Sequence, residues 1–117
     1  MGNVVILLEH SGDKLRPSAL SGITFGQRAA AAHGGKLFLL LVGDKTEGAA
    51  HDAAGFGAAG VITVTDAKLR DYLAETYAPI VARVAREQGA SLVGAVATTQ
   101  GKDLMPRVAA LLDVAAV

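Results

Sequence analysis

Four short apolar runs, each followed by a polar turn and then a helically spaced segment, constrain this chain more than any other feature. The runs are residues 4–8, 37–42, 61–64 and 91–97. Apolar stretches of that length, bounded by glycine and polar residues, predict strands. The first two are continuous rather than alternating, as a strand covered on both faces requires. The third is β-branched throughout, Val61-Ile62-Thr63-Val64, which suits a pleated and partly buried strand.

Helical segments lie between and after these runs. One is opened by Arg16-Pro17-Ser18, carries Leu20, Ile23, Gln27 and Ala30-Ala31, and stops at His33-Gly34-Gly35, a glycine exit. Residues 49–57 predict a second helix, so poor in large side chains that it must lie close against its neighbours. A third runs from Tyr72 through Leu73, Tyr77, Ile80-Val81 and Val84 to Gln88-Gly89, and a fourth places Leu104, Val108 and Leu111 on one stripe. Residues 9–14 read as a polar loop and residues 66–72 as a connection. Strands alternating with helices predict an α/β domain: a parallel sheet in three layers, helices on both faces, joined by right-handed crossovers. Four strands are few for such a sheet, so the expectation is a truncated domain cut from a longer protein.

Charge and composition exclude several function classes. Eleven basic and eleven acidic residues cancel and are interspersed, so the footprint of a nucleic-acid binder is missing. The chain has no cysteine, which removes disulfides, thiol catalysis and cysteine-ligated metals. Residues 37–42 form the longest strongly apolar run, far too short to span a bilayer. The opening run stops at Glu9-His10, unlike a secretory signal. The expectation is a soluble cytoplasmic domain without membrane insertion.

Two glycine motifs fail on context. Gly55-Phe56-Gly57-Ala58-Ala59-Gly60 has the G-x-G-x-x-G spelling of dinucleotide sites, but it closes a helix and leads into a strand, the reverse of what a pyrophosphate needs. Gly101-Lys102 lacks the second glycine and the magnesium-binding hydroxyl of a P-loop, since Val96 and Asp103 stand in those places. His10, His33 and His51 are scattered, with no pair at zinc-site spacing. Ser11, His10 and Asp13 could be imagined as a triad, but G-x-S-x-G is absent. No catalytic or metal site is expected.

The junction between the fourth strand and its helix is the candidate working surface. Thr98, Thr99, Gly101, Lys102 and Asp103 sit where a strand's carboxyl end meets a helix amino end, the place where open parallel sheets meet ligands. Free N–H groups there favour an anion, and Lys102 and Arg107 add positive charge. Glu9 and His10 follow the first strand and lie beside this loop if the first and fourth strands are neighbours. The bland alternative is that a threonine caps the helix while Lys102 and Arg107 stay solvated.

Val5-Ile6-Leu7-Leu8-Glu9-His10, Gly12 and Leu15-Arg16-Pro17-Ser18-Ala19-Leu20 open the chain. Ala97-Thr98-Thr99-Gln100-Gly101-Lys102-Asp103-Leu104-Met105-Pro106-Arg107-Val108-Ala109-Ala110-Leu111-Leu112-Asp113-Val114-Ala115 close it. Gly60-Val61-Ile62-Thr63-Val64-Thr65-Asp66 and Tyr77-Ala78-Pro79 add looser matches. On these residues the chain resembles the amino-terminal domain of the electron-transfer flavoprotein alpha subunit.

The resemblance implies an adenine-nucleotide-hydrolase-like (Rossmann-like) fold in a subunit that pairs with a beta subunit. Such proteins carry electrons on one FAD from flavin dehydrogenases to a quinone oxidoreductase or another acceptor, without bond-making on a substrate. The FAD is held mainly by a carboxy-terminal domain beyond this chain, so no flavin-contacting residue is expected here, and the family's AMP belongs to the beta subunit. The domain would then serve as scaffold and in heterodimer assembly. The rival reading is a stand-alone nucleotide-binding module of universal-stress type. Its phosphate loop, G-x-x-G-x-x-x-x-G followed by Ser or Thr, is absent, and residues 97–102 stand in its place.

Overall fold

The unbroken Val-Val-Ile-Leu run of β1 (Asn3–Leu7) can be buried on both faces only at the centre of a sheet, and it is found there. The computed structural model describes residues 2–96 and 99–112. Four parallel strands lie in the order β5-β4-β1-β6, with β4 at Leu37–Gly43, β5 at Gly60–Thr65 and β6 at Ala90–Ala95. Val4–Leu7 pairs in register with Leu37–Leu40, and Val4–Leu7 pairs on its other side with Leu92–Ala95. The first and fourth predicted strands are therefore neighbours.

Alternation of side chains divides the core in two. Val4, Ile6, Leu8, Leu37, Leu39 and Leu41 face one way, against α1 (Ala19–His33) and α2 (Glu47–Ala54). Val5, Leu7, Leu40 and Val42 face the other, against α3 (Ala74–Glu87) and α4 (Thr99–Leu112). This is the expected three-layer arrangement.

Several boundaries and faces differ from the sequence reading. Residues 9–15 are not a plain loop; they hold a small antiparallel hairpin of β2 (His10–Ser11) and β3 (Lys14–Leu15), turning at Gly12 with φ 57°. The helix at 49–57 begins earlier, at Glu47, and ends at Ala54. α3 starts after Leu73, which is extended, so Leu73 is exposed rather than part of the buried stripe. A single 3₁₀ turn at Ala67–Leu69, capped by the Asp66 side chain, fills the connection before it.

α1 does end at glycine, with Gly34 left-handed at φ 66°, but its buried face is Ala19, Gly22, Ile23, Gly26 and Ala30, and Leu20 points to solvent. A Cβ on Gly26 would stand 2.7 Å from Ile6 Cγ1, so glycine is what lets α1 come this close to β1. In α4 the buried line runs Leu104, Met105, Val108 and Ala109, while Leu111 is exposed. The true 3.6-residue period carries the face on to Leu112, which packs on the core.

Candidate functional site

Glu9 and His10 leave the carboxyl end of β1, and the β2–β3 hairpin then folds back over the end of β4. The His10 ring holds it there: Nδ1 is 2.8 Å from the carbonyl of Gly12 and Nε2 is 3.0 Å from the carbonyl of Val42. Both partners are acceptors, so only a doubly protonated ring donates to both at once. Gly43 makes room for it, since a Cβ there would lie 2.7 Å from His10 Cε1. The hairpin also caps α2. Asp13 Oδ1 accepts from the N–H of Gly48 at 2.6 Å, in a first turn whose N-cap, Thr46, gives no side-chain cap bond. A side chain on Gly48 would collide with the Asp13 carbonyl. Buried Thr46 instead meets Thr65, Oγ1 to Oγ1 at 2.7 Å.

Beneath the hairpin is a cleft of about 190 Å³ at the carboxyl ends of β1 and β4. Besides Tyr72 and Tyr77, its ionisable lining is Glu9, His10, Arg16, Asp44 and Arg70, and Gln100 reaches it from the first turn of α4. Glu9 is buried and already engaged. The two arginines are exposed at the mouth, and the charge is mixed. Small-molecule sites usually offer about 300–1,000 Å³, more than the cleft formed by these described residues.

Two tyrosines close one side. Tyr77 Oη donates to the carbonyl of Leu69 at 2.8 Å, and burial, then the charges of Asp44 and Asp71, raise its pKa. Tyr72 Oη donates to Asp103 Oδ2 at 2.8 Å. Partial burial first, then that hydrogen bond and the Asp103 charge, push Tyr72 up to about 12. The rings meet edge to face, centroids 5.1 Å apart. Both phenols are therefore neutral donors at physiological pH.

The sequence-predicted residues are only partly brought together. Glu9 and His10 share the cleft with Gln100, and Gly101 is buried beside it. Lys102 is exposed and does not line the cleft. Arg107 lies in a separate open groove with Tyr72 and Asp103, 4.0 Å from the Asp103 carboxylate on the solvent side. Thr98 falls outside the described residues, and Thr99 opens α4, so Gln100, Gly101 and Lys102 are first-turn helix rather than loop. Sequence reasoning missed Arg16, Asp44, Arg70 and Tyr72. Asp44 directly follows β4 and Arg70 follows β5 by one short turn; the carboxyl-end rule applied to every strand would have found them.

The three glycines of the decoy motif close a helix and enter a strand: Gly55 is the C-cap of α2, Gly57 has φ 74° with open space around it, and a Cβ on Gly60 would press on Phe38 at 3.2 Å. Among the described residues no group of three His, Asp or Glu could hold a metal, and no helix is long and apolar enough to cross a membrane.

A second surface lies at the β6 side of the sheet. Phe25 and Leu20 on α1 are 48 % and 50 % exposed. Phe25 leans toward Gly94, and an apolar groove of about 170 Å³ opens between Gly22, Phe25, Ile6, Ala95 and Val96.

Comparison with known proteins gives a consistent result. The family model described as "Electron transfer flavoprotein domain" matches residues 4–117. The chain is 35% identical over 112 residues to the electron transfer flavoprotein subunit alpha of Pseudomonas aeruginosa, covering 95% of this chain and 34% of that protein. It is 31% identical over 116 residues to the same subunit of Bacillus subtilis, covering 97% and 34%. It is also 31% identical over 110 residues to the acryloyl-CoA reductase electron transfer subunit beta of Anaerotignum propionicum, covering 94% and 30%. The chain spans about a third of the length of the curated relatives it matches.

Proposed function

We propose, for a chain that belongs to the electron transfer flavoprotein family, a scaffolding role as the amino-terminal domain of an alpha-type subunit. The likeness to alpha subunits runs along nearly the whole chain, and an electron-transfer role follows from the family. The finer reading is that one FAD sits mainly on a domain beyond this chain, that a beta subunit completes the carrier, and that electrons pass from flavin dehydrogenases to a quinone oxidoreductase or another acceptor in the cytoplasm.

One observation carries this: a family match across residues 4–117 that accounts for only about a third of each alpha-subunit relative. The geometry supports it. The cleft that the described residues form at the strand ends is smaller than a usual small-molecule site. A carrier domain needs neither nucleophile nor general base, and the phenols that face the cleft are tied to Leu69 and Asp103.

The deciding experiment is the visible absorption of desalted protein after incubation with excess FAD, for this chain and for the whole subunit. Flavin retained by the whole subunit alone is the expected result. Flavin retained by this chain would place the cofactor site within residues 1–117 and overturn the scaffold reading.

A further inference from the structure

Tyrosine, tryptophan and cysteine are the side chains that most readily give up a single electron, and this chain has two tyrosines and neither of the others. Tyr72 and Tyr77 stand edge to face, centroids 5.1 Å apart, yet their hydroxyls meet different chemistry. Tyr77 is 5 % exposed and donates to the carbonyl of Leu69. An amide carbonyl accepts a hydrogen bond but is far too weak a base to keep the proton. Tyr72 donates to Asp103 Oδ2 at 2.8 Å, and an ionised carboxylate can take a proton outright.

A neutral phenol that loses an electron becomes a strong acid, so its oxidation is easy only where a positioned base takes the proton in the same step. Tyr72 holds its proton up to about 12 and presents no phenolate near neutral pH, so proton and electron must leave together. Asp103 is placed for that. Its Oδ1 faces Arg107 at 4.0 Å, which leaves Oδ2 to the phenol. The Tyr72 ring is half-buried and lines an open groove with Glu75, Asp103 and Arg107. A small oxidant therefore reaches Tyr72 from solvent and does not reach Tyr77.

We propose that Tyr72 is a site of one-electron oxidation and nitration, with Asp103 as the proton acceptor. The oxidant class is the radical pair released by peroxynitrite and carbon dioxide, carbonate radical anion and nitrogen dioxide. The phenol gives one electron to the carbonate radical, which becomes carbonate, and its proton to Asp103. That proton passes on to carbonate, leaving bicarbonate and an ionised Asp103. The Tyr72 phenoxyl radical then couples with nitrogen dioxide, forming a C–N bond at a Cε ring carbon. The hydrogen on that carbon returns to the phenol oxygen, and the product is 3-nitrotyrosine. This site does not depend on where a flavin sits.

The test treats the chain of 117 residues with peroxynitrite in bicarbonate buffer near neutral pH and maps 3-nitrotyrosine by peptide mass spectrometry. Nitration is expected predominantly at Tyr72. Asp103→Asn keeps a polar group beside the phenol but removes the base, and should lower the Tyr72 yield about tenfold, below the full contribution of a positioned base because water substitutes in part. Glu75→Gln removes the other carboxylate lining this groove and should leave the yield unchanged. In the unsubstituted chain the yield should fall in deuterium oxide, because the proton moves with the electron. Equal modification of both tyrosines overturns the proposal. So does a Tyr72 yield that survives Asp103→Asn, which makes ring exposure the sole cause, or one that is unchanged in deuterium oxide. A loss as large in Glu75→Gln also overturns it, in favour of the groove's overall charge.

Discussion

On one face of the sheet α1 arrives on Gly22 and Gly26, so that helix backbone nearly touches Ile6 and Leu37; on the other, α3 and α4 bring Tyr77, Val81, Val84, Leu104, Met105 and Val108. The first face is filled by the sheet's own side chains and closed by small residues of the helices. The second is filled from both sides. Close approach is intolerant of added atoms, and interdigitation is intolerant of lost ones. On the glycine face α1 also reaches the β6 side, where a Cβ on Gly22 would stand 3.1 Å from Val96. Phe25, beside that edge, stands half in solvent.

The contrast can be broken from either side. Leu104→Ala on the filled face removes a side chain with no exposure and should cost about 3 kcal/mol, read as a lower urea midpoint. Gly26→Ala on the close face should cost about 1 kcal/mol in the same measurement. Overpacking against Ile6 costs ~2 kcal/mol, partly offset by ~1 kcal/mol from alanine's helix propensity. A stabilised Gly26→Ala protein would sink the close-approach account. Asp13→Ala, which uncaps α2 at Gly48, should cost about 1 kcal/mol and speed exchange in the first turn of α2 while leaving α3 and α4 unchanged.

A pH titration sharpens the same contrast on the filled face. Tyr72 holds its proton up to about 12 in the folded protein against an ordinary value of 10.0. The folded state binds that proton more tightly, so the stabilisation is complete below pH ~10 and is lost as pH rises from there through ~12. Tyrosinate absorbance should show both phenols titrating late, and Asp103→Asn should bring Tyr72 down because it removes the charge beside the ring. The smallest effect is expected at Lys102→Ala, within about 0.5 kcal/mol of the parent, since this side chain is exposed and lies outside the cleft.

The fold was legible because its signals are local. Continuous apolar runs at β1 and β4, β-branched residues in β5, and the glycine after His33 each state their element without reference to anything distant. The candidate site was half legible. The carboxyl-end rule points to Glu9 and His10 and, with charge added, to Lys102 and Arg107, but a helix that starts at Thr99 turns the last two outward. The buried face of α1 was misjudged for a similar reason. Leu20 outranks Gly22 and Gly26 in hydrophobicity, yet it is the glycines that face the sheet.

By itself the sequence determined the alternation of strands and helices, the handed crossovers that follow from it, and the family, because these depend on residue type and order along the chain. Only the tertiary structure decided which side chains meet: His10 over Gly43, Asp13 on Gly48, Tyr72 on Asp103, and β6 as an apolar edge. Those contacts join residues far apart in sequence, and their distances are set by how closely whole elements approach one another, which no local pattern of residues encodes.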